Sequence, residues 1–140
     1  MKIEVLGKPQ GKARPRFYHG HAVTPKETKE YEKRIALIYR LSGGKCLTKN
    51  ADEPVRVNVT MVFTPMKSDT KRVREDKLAG KIAATKKPDN DNCLKVVQDA
   101  LQGGIAFHDD KQVVDSRVTK VFGEEEKLII EVEVCSNDEQ

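Results

Sequence analysis

The alternation of apolar and polar residues along the chain predicts four strands. Segment 1–7 (MKIEVLG) indicates a short strand that ends at a glycine, and segment 55–63 (VRVNVTMVF) alternates as a strand with one buried face does. Segments 112–122 (QVVDSRVTKVF) and 127–134 (KLIIEVEV) indicate two more strands. The short polar sequence GEEE between the last two predicts a hairpin.

Two main helices are predicted between these strands. Thr24, Pro25 and Glu27 form a helix-start signature with a capping box, and apolar residues then recur at helical spacing as far as Gly43 and Gly44. A second helix is predicted to begin at residues 89–91 and to run to about residue 102, where two glycines end it.

The resulting order, β-α-β-α-β-β, predicts an α+β fold with a mixed β-sheet and one domain over residues 1–140. The prolines and glycines of segment 8–26 predict irregular structure there. Segment 66–88 is polar and basic, and we expect a loop with a short helix near residues 69–79.

The charge is distributed unevenly, although the formal net charge is only +4. Residues 66–88 hold eight Lys or Arg against three acids, and residues 1–26 hold six against one. Basic segments of this kind favour a polyanionic partner, although for any single lysine a solvated surface is the better explanation. The chain is too apolar, at 37% hydrophobic residues, for a disordered protein.

The sequence also excludes several classes of protein. No apolar run approaches the roughly 20 residues that span a bilayer, and the N-terminus lacks the apolar core of a signal peptide. Three widely spaced cysteines without a CxxC pair fit neither a disulfide framework nor a zinc site. We therefore expect no membrane association and a cytoplasmic protein with reduced thiols.

Candidate chemistry begins in KKPDNDNCLK, residues 86–95, where two acids lie among lysines. On the predicted helix Asp91 and Lys95 are four residues apart and share a face, opposite the apolar stripe of Leu94, Val97 and Leu101. One interpretation is that an aspartate simply caps the helix, which contributes about 1 kcal/mol. The other is that the acids bind a divalent cation.

A second acid pair, Asp109 and Asp110, can reach the first. The helix carries the chain about 18 Å away, and the eight steps from residue 102 to residue 110 span at most about 26 Å. Clustered carboxylates either raise each other's pKa values or bind a cation, and oxygen ligands without Cys or His favour Mg²⁺ or Mn²⁺. An EF-hand is excluded, because Leu94 and Ala100 occupy the positions where its glycine and glutamate belong.

Residues 87–113 (KPDNDNCLKVVQDALQGGIAFHDDKQV) resemble the signature of RusA-type Holliday junction resolvases. The shared elements are D-x-D-N-x-x-K, then D-A-L, then D-D-x-Q. The resemblance implies a small, homodimeric endonuclease that depends on Mg²⁺, with Mn²⁺ as a substitute. Such enzymes resolve four-way DNA junctions by paired symmetric nicks during recombination and repair.

The resemblance also implies roles for individual residues. Asp89, Asp91 and Asp110 become catalytic metal ligands, and Lys95 becomes the essential base on the helix. Asp109 is either an additional metal ligand or a turn residue before the strand. Asp99 also matches the pattern and is kept as a residue that supports the site or the fold. Cys93 stands where an aliphatic residue is usual, on the buried side of the helix.

The basic segments are expected to contact DNA. The predicted phosphate-binding residues are Lys12, Arg14, Arg16, Lys71, Arg72, Arg74, Lys86 and Lys87. The aromatic residues Phe17, Tyr18 and Phe107 either stack on bases at the open junction centre or pack within the protein.

Two alternatives to junction resolution remain open on the sequence. One is a noncatalytic phage protein that binds junctions or other DNA, and the other is a metal-dependent nuclease for flaps or other branched DNA. A homodimer is expected because the chain holds a single copy of the acid pattern while resolution requires two nicks. Its contact is expected on the strand 127–134 or on the helix from Pro25 to Leu41.

Overall fold

The fold is seen in a computed structural model that describes residues 1–135. The elements in chain order are β1 (Lys2–Leu6), β2 (Arg16–Tyr18), β3 (His21–Val23), α1 (Lys26–Leu41), β4 (Val55–Phe63), α2 (Lys71–Leu78), α3 (Asn90–Leu101), β5 (Val113–Phe122) and β6 (Lys127–Val134). A short 3₁₀ turn, Asp110–Gln112, precedes β5. The predicted α+β class and the single domain are confirmed, and α2 falls within the range predicted for a short helix.

The central sheet has four strands in the spatial order β1-β6-β4-β5. β6 is antiparallel to both of its neighbours, whereas β4 and β5 run parallel. The predicted mixed sheet is therefore confirmed. α1 packs against β1 and α3, and α3 also contacts β5, so the helices bury the sheet's apolar side chains from one face.

The hairpin predicted between β5 and β6 is wrong, because β4 lies between them. The connection must cross the end of β4, where the Gly123 N–H donates to the Phe63 carbonyl at 2.8 Å. A Cβ at Gly123 would lie 2.6 Å from the Val62 side chain. Glycine thus lets the backbone pass closely over β4, and the short turn sequence reflects a crossing rather than a hairpin.

The predicted capping box of α1 is also wrong. The helix begins at Lys26, the buried Pro25 takes the N-cap position, and no side chain makes a capping hydrogen bond. Thr28 is buried instead, and its hydroxyl accepts a hydrogen bond from the Ala13 N–H at 3.2 Å. The start of α1 is therefore held by the segment that precedes the helix.

Segment 8–26 is not wholly irregular, since β2 and β3 form a separate antiparallel hairpin. Its turn residues, His19 (φ 49°) and Gly20 (φ 78°), both have positive φ, as in a type I′ turn. The prediction missed this hairpin because its strands have only three residues each and no apolar alternation.

The buried face of α3 is close to the predicted one. Val97 and Leu101 are fully buried, but Leu94 is only half-buried. Cys93 is fully buried as predicted, and burial raises the pKa of its thiol to about 12. The three cysteines are free thiols. No helix within residues 1–135 is both long and apolar enough to cross a membrane.

Candidate functional site

α3 begins with two aspartates whose side chains are exposed. Asp89 takes the N-cap position with extended backbone angles, yet its side chain makes no capping hydrogen bond, and Asp91 follows in the first turn. Within residues 1–135 neither carboxylate has a hydrogen-bond or ion-pair partner. Capping therefore does not account for either side chain, and both carboxylates are open to a ligand at a helix end.

Lys95 joins α3 to the second acid pair. Its Nζ lies 3.3 Å from Asp110 Oδ2 and 3.1 Å from Asp99 Oδ1. The chain thus returns along the helix, as its length allows, and sets Asp110 beside the second turn of α3. A cation and an acid from two separate parts of the sequence motif meet here at the protein surface.

Asp99 links Lys95 to the N-terminal segment. While Oδ1 faces Lys95, Oδ2 lies 2.7 Å from Lys12 Nζ, and only 11% of the Asp99 side chain is exposed. Lys12 also pairs with Glu32 at 3.2 Å. One half-buried lysine therefore fixes the carboxylate that in turn holds Lys95 near Asp110.

These ion pairs keep both lysines charged. The hydrogen bond to Asp99, followed by that to Asp110, raises the pKa of Lys95 above its ordinary value. Burial lowers the pKa of Lys12, but the hydrogen bonds to Asp99 and Glu32 outweigh burial, so that its pKa is also raised. The predicted phosphate contact of Lys12 stays a prediction, and it would compete with these two carboxylates.

The Asp109 side chain makes a hydrogen bond to the backbone of the turn in which it lies. Its Oδ1 accepts a hydrogen bond from the Lys111 N–H at 2.9 Å, and the Gln112 side chain accepts from the Asp109 N–H at 2.9 Å, which completes a capping box. The hydrogen bond from the Lys111 backbone lowers the pKa of Asp109. The turn interpretation describes what this side chain does here, and a metal role for Asp109 stays a prediction.

Gln112 is a residue of the motif to which the sequence assigned no role. It is 3% exposed, its Oε1 also accepts from the His108 N–H at 2.8 Å, and its Nε2 donates to the carbonyls of Asn50 and Glu53, each at 2.9 Å. A buried amide with all of these partners fixes the turn that carries Asp110. The spacing Asp109-x-x-Gln112 of a capping box was the available signal.

The chemistry of the acids fits a hard divalent cation. Asp89 and Asp91 offer carboxylate oxygens that have no partner among the described residues. Mg²⁺ in phosphate-processing sites takes one or two carboxylates, with waters and substrate phosphates completing its shell. Asp110 is instead paired with Lys95. Across residues 1–135 no three His, Cys, Asp or Glu side chains are grouped so as to hold a metal ion. The metal role of Asp89, Asp91 and Asp110 therefore stays a prediction.

Open clefts flank Asp89 on two sides and are lined by lysines. The first cleft includes Lys8, Lys12 and Lys87, and the second includes Lys86, Lys87 and Lys120. Lys8 and Lys120 were not among the predicted DNA-binding residues. Lys120 Nζ donates to the Lys86 carbonyl at 2.6 Å, which ties β5 to the basic segment.

The other predicted DNA-binding residues do not line these two clefts. Lys71, Arg72 and Arg74 are exposed on α2, and Arg14 and Arg16 are exposed at the hairpin. Their contact with DNA stays a prediction.

The three aromatic residues that were predicted either to stack on bases or to pack within the protein differ in exposure. Phe107 is fully buried and belongs to the core, whereas Phe17 is 80% and Tyr18 is 68% exposed. His108 is exposed, and its Nδ1 lies 2.7 Å from the Thr48 hydroxyl.

Two comparisons with known proteins found a match over nearly the whole chain. A family model described as "Endodeoxyribonuclease RusA" matches residues 7–133. A Bacillus subtilis (strain 168) protein described as "Uncharacterized protein YqaN" is 32% identical over 143 residues, and the alignment covers 97% of each chain. The matched region includes the hairpin, α3 and the turn that carries Asp110.

Proposed function

The chain belongs to the family of RusA endodeoxyribonucleases, and from this premise we propose that it is a Mg²⁺-dependent enzyme that resolves four-way DNA junctions by paired symmetric nicks. We place it in the cytoplasm, where its three free cysteines would stay reduced. The main support for the proposal is the ion pair between Lys95 Nζ and Asp110 Oδ2, which are 3.3 Å apart. Lys95 lies on the same helix, α3, whose N-terminal end carries Asp89 and Asp91.

The mechanism assigns each side chain a task in phosphodiester hydrolysis. Asp89, Asp91 and Asp110 would hold Mg²⁺, which when bound supplies charge stabilisation at the scissile phosphate. The Lys95 ammonium stabilises negative charge on a nonbridging or leaving oxygen of that phosphate. Asp99 holds Lys95 at this end of the site when Asp110 is engaged elsewhere, because its second oxygen is itself fixed by Lys12.

The surroundings of the acids suit a polyanion. Isolated carboxylates would repel DNA, but the lysine-lined clefts on both sides of Asp89 offset this repulsion. Each phosphate neutralised by such residues releases counterions and adds to affinity at low salt. The acids are thus assigned to the cleavage chemistry and the lysines to the binding of the substrate.

We further propose a homodimer whose twofold axis lies along that of the junction, because paired nicks need two copies of the site. Of the two apolar elements expected to form the contact, β6 lies inside the sheet with Leu128 and Ile130 fully buried. α1 leaves Leu37 56% and Leu41 77% exposed, four residues apart on one face. This exposed pair supports α1 as the contact.

Cleavage of matched substrates tests the function. We expect purified protein with Mg²⁺ to nick a mobile four-way junction at symmetric positions, to cut a flap or a linear duplex far more slowly, and to do neither in EDTA. Binding without cleavage in Mg²⁺ or Mn²⁺ would identify a noncatalytic junction-binding protein. Equal cleavage of flap and junction would identify a general branched-DNA nuclease.

The oligomeric state is tested separately. Light scattering at micromolar concentration should give the mass of two chains. A mixed dimer with one Asp91→Asn chain should nick only one strand in each binding event, whereas a monomer that still makes paired nicks would contradict this mechanism.

A further inference from the structure

The β2–β3 hairpin exposes its side chains instead of burying them. All six strand residues are exposed, including Phe17 at 80% and Tyr18 at 68%. The chain's other five aromatic residues are buried or half-buried. Two large aromatic rings on a ribbon without a core are therefore explained by a ligand better than by packing.

The hairpin geometry sets the two rings on opposite faces of the ribbon. Successive strand side chains point to opposite faces, and Phe17 pairs with Ala22 while Tyr18 pairs with His21. Ala22 is too small to cover the Phe17 ring. The His19 ring packs edge-on against Tyr18, with the ring centroids 4.3 Å apart, yet Tyr18 stays 68% exposed. The ribbon therefore offers an exposed aromatic ring on each of its two sides.

The charge around the rings indicates what kind of ligand they suit. Residues 5–26 include five Lys or Arg and no Asp or Glu. Arg14 and Arg16 precede the rings directly and are exposed. Proteins usually bind unpaired nucleotides by combining aromatic rings with a positively charged surface that follows the nucleic-acid backbone. The bases stack on the rings, and the phosphates pair with the cations.

The base of the hairpin is attached to the candidate site. The Lys12 N–H donates to the Asn92 carbonyl at 3.0 Å, next to the acids of α3, and the Ala13 N–H donates to Thr28 on α1. The five steps from Lys12 to Phe17 span at most about 18 Å. A DNA branch point bound near Asp89 and Asp91 is thus within reach of the rings.

We propose that the β2–β3 hairpin binds unpaired nucleobases at the branch point, with Phe17 and Tyr18 stacking on bases from its two faces. The inference rests on the proposed function for its substrate, and it adds a base-binding element to the acid-lysine site. It predicts that the hairpin distinguishes branched from fully paired DNA, which charge alone cannot do.

The test compares Phe17→Ala/Tyr18→Ala with Leu6→Ala, which removes another exposed apolar side chain, at the edge of the sheet (Leu6 is 51% exposed). Affinity is measured without divalent cation for three DNAs: an oligo-dT single strand, a four-way junction with 2-aminopurine at the crossover, and a linear duplex. Losing one base–aromatic stack reduces affinity by roughly 5- to 150-fold. We expect at least the lower value for the single strand and the junction, with duplex affinity unchanged and the control variant unaffected. The 2-aminopurine signal change on binding should be lost as well.

Three outcomes would overturn the inference. Equal losses on all three DNAs would show a general role in charge or folding, and no loss on any DNA would show that the hairpin does not bind bases. A fall in mass to that of one chain would show that the hairpin contacts a second copy. If the unaltered protein neither prefers nor cuts the junction, the proposed function fails, while the single strand still tests the hairpin.

Discussion

The helices α3 and α2 differ in what attaches them to the protein. α3 buries five side chains, namely Cys93, Val96, Val97, Ala100 and Leu101. α2 buries none. It is held by a Thr70 cap at 3.3 Å, an Asp69–Lys77 ion pair at 2.7 Å and the Lys77 ammonium 5.1 Å from the Phe122 ring centre. The core fixes α3, whereas α2 rests on polar contacts at the surface.

Because of this difference, each helix is suited to a different contribution to function. Catalytic groups lose much of their effect when displaced by about 1 Å, so they need a helix whose opposite face is locked in the core. Phosphate contacts act through charge and tolerate displacement. A lysine on α3 should therefore matter for rate, and a lysine on α2 should matter for affinity.

The largest expected effect is that of Asp91→Asn on α3. Loss of a metal ligand removes several kcal/mol of transition-state stabilisation, so cleavage should fall by at least about 1,000-fold. Junction binding should be preserved or tighter, because a negative charge facing phosphates is lost. Nicking and gel-shift assays on one preparation measure both, and near-normal cleavage in Mg²⁺ would remove Asp91 from the site.

Lys95→Ala and Lys71→Ala make the same change on the two helices. For Lys95 we expect cleavage of bound junction to fall by about 100-fold with a much smaller loss of binding. Lys71→Ala should leave the rate unchanged. Single-turnover cleavage rates at saturating protein measure both effects. Equal cleavage rates for the two variants would contradict the different roles assigned to the two helices.

Asp99→Asn tests whether the position of Lys95 depends on Asp99. The change removes the charge that Oδ1 presents to Lys95. Loss of a group that orients a functional side chain typically reduces activity by about 10-fold or more. The matched control is Glu32→Gln, which removes the other carboxylate on Lys12 but does not contact Lys95. Asp99→Asn should slow the cleavage of bound junction without weakening binding. Glu32→Gln should leave the cleavage rate unchanged.

A double variant separates positioning from folding. If Asp99 acts through Lys95, adding Asp99→Asn to Lys95→Ala should cause no further loss of rate. Additive losses, or a matching fall in thermal stability, would assign Asp99 to the fold alone.

Much of the fold could be predicted because its signals are local. The bounds of β6 and the extent of α3 follow from apolar periodicity with glycines after the helix, and the structure has them where predicted. The order of strands in the sheet is not a local property. Nothing in segment 123–126 distinguishes a hairpin from a crossing over β4, because the deciding contact, that of Gly123 with Val62, joins residues far apart in sequence.

The same limit applies to the candidate site. Asp91 and Lys95 are four residues apart, and chain length alone allows Asp110 to return to them. The pairing of Lys12 with Asp99 spans 87 residues and could not be predicted, so Lys12 was taken only as a phosphate contact. Side chains that meet through tertiary structure need the coordinates, whereas neighbours on one helix do not.

The smallest expected effect on the rate at which bound junction is cleaved comes from replacing Lys71, Arg72 and Arg74 together by Ala. All three are exposed on a helix with no buried residue, so their loss should leave the fold and the rate at saturation unchanged. Each phosphate contact contributes roughly −0.9 to the slope of log affinity against log salt for duplex DNA. If all three contact phosphates, the slope should become shallower by about 2.7, and affinity at low salt should fall accordingly. Fluorescence anisotropy at several salt concentrations measures the slope, with Lys2→Ala as a control on an edge strand. An unchanged slope would mean that α2 faces away from DNA, and a lower rate at saturation would mean that α2 positions the substrate rather than only attracting it.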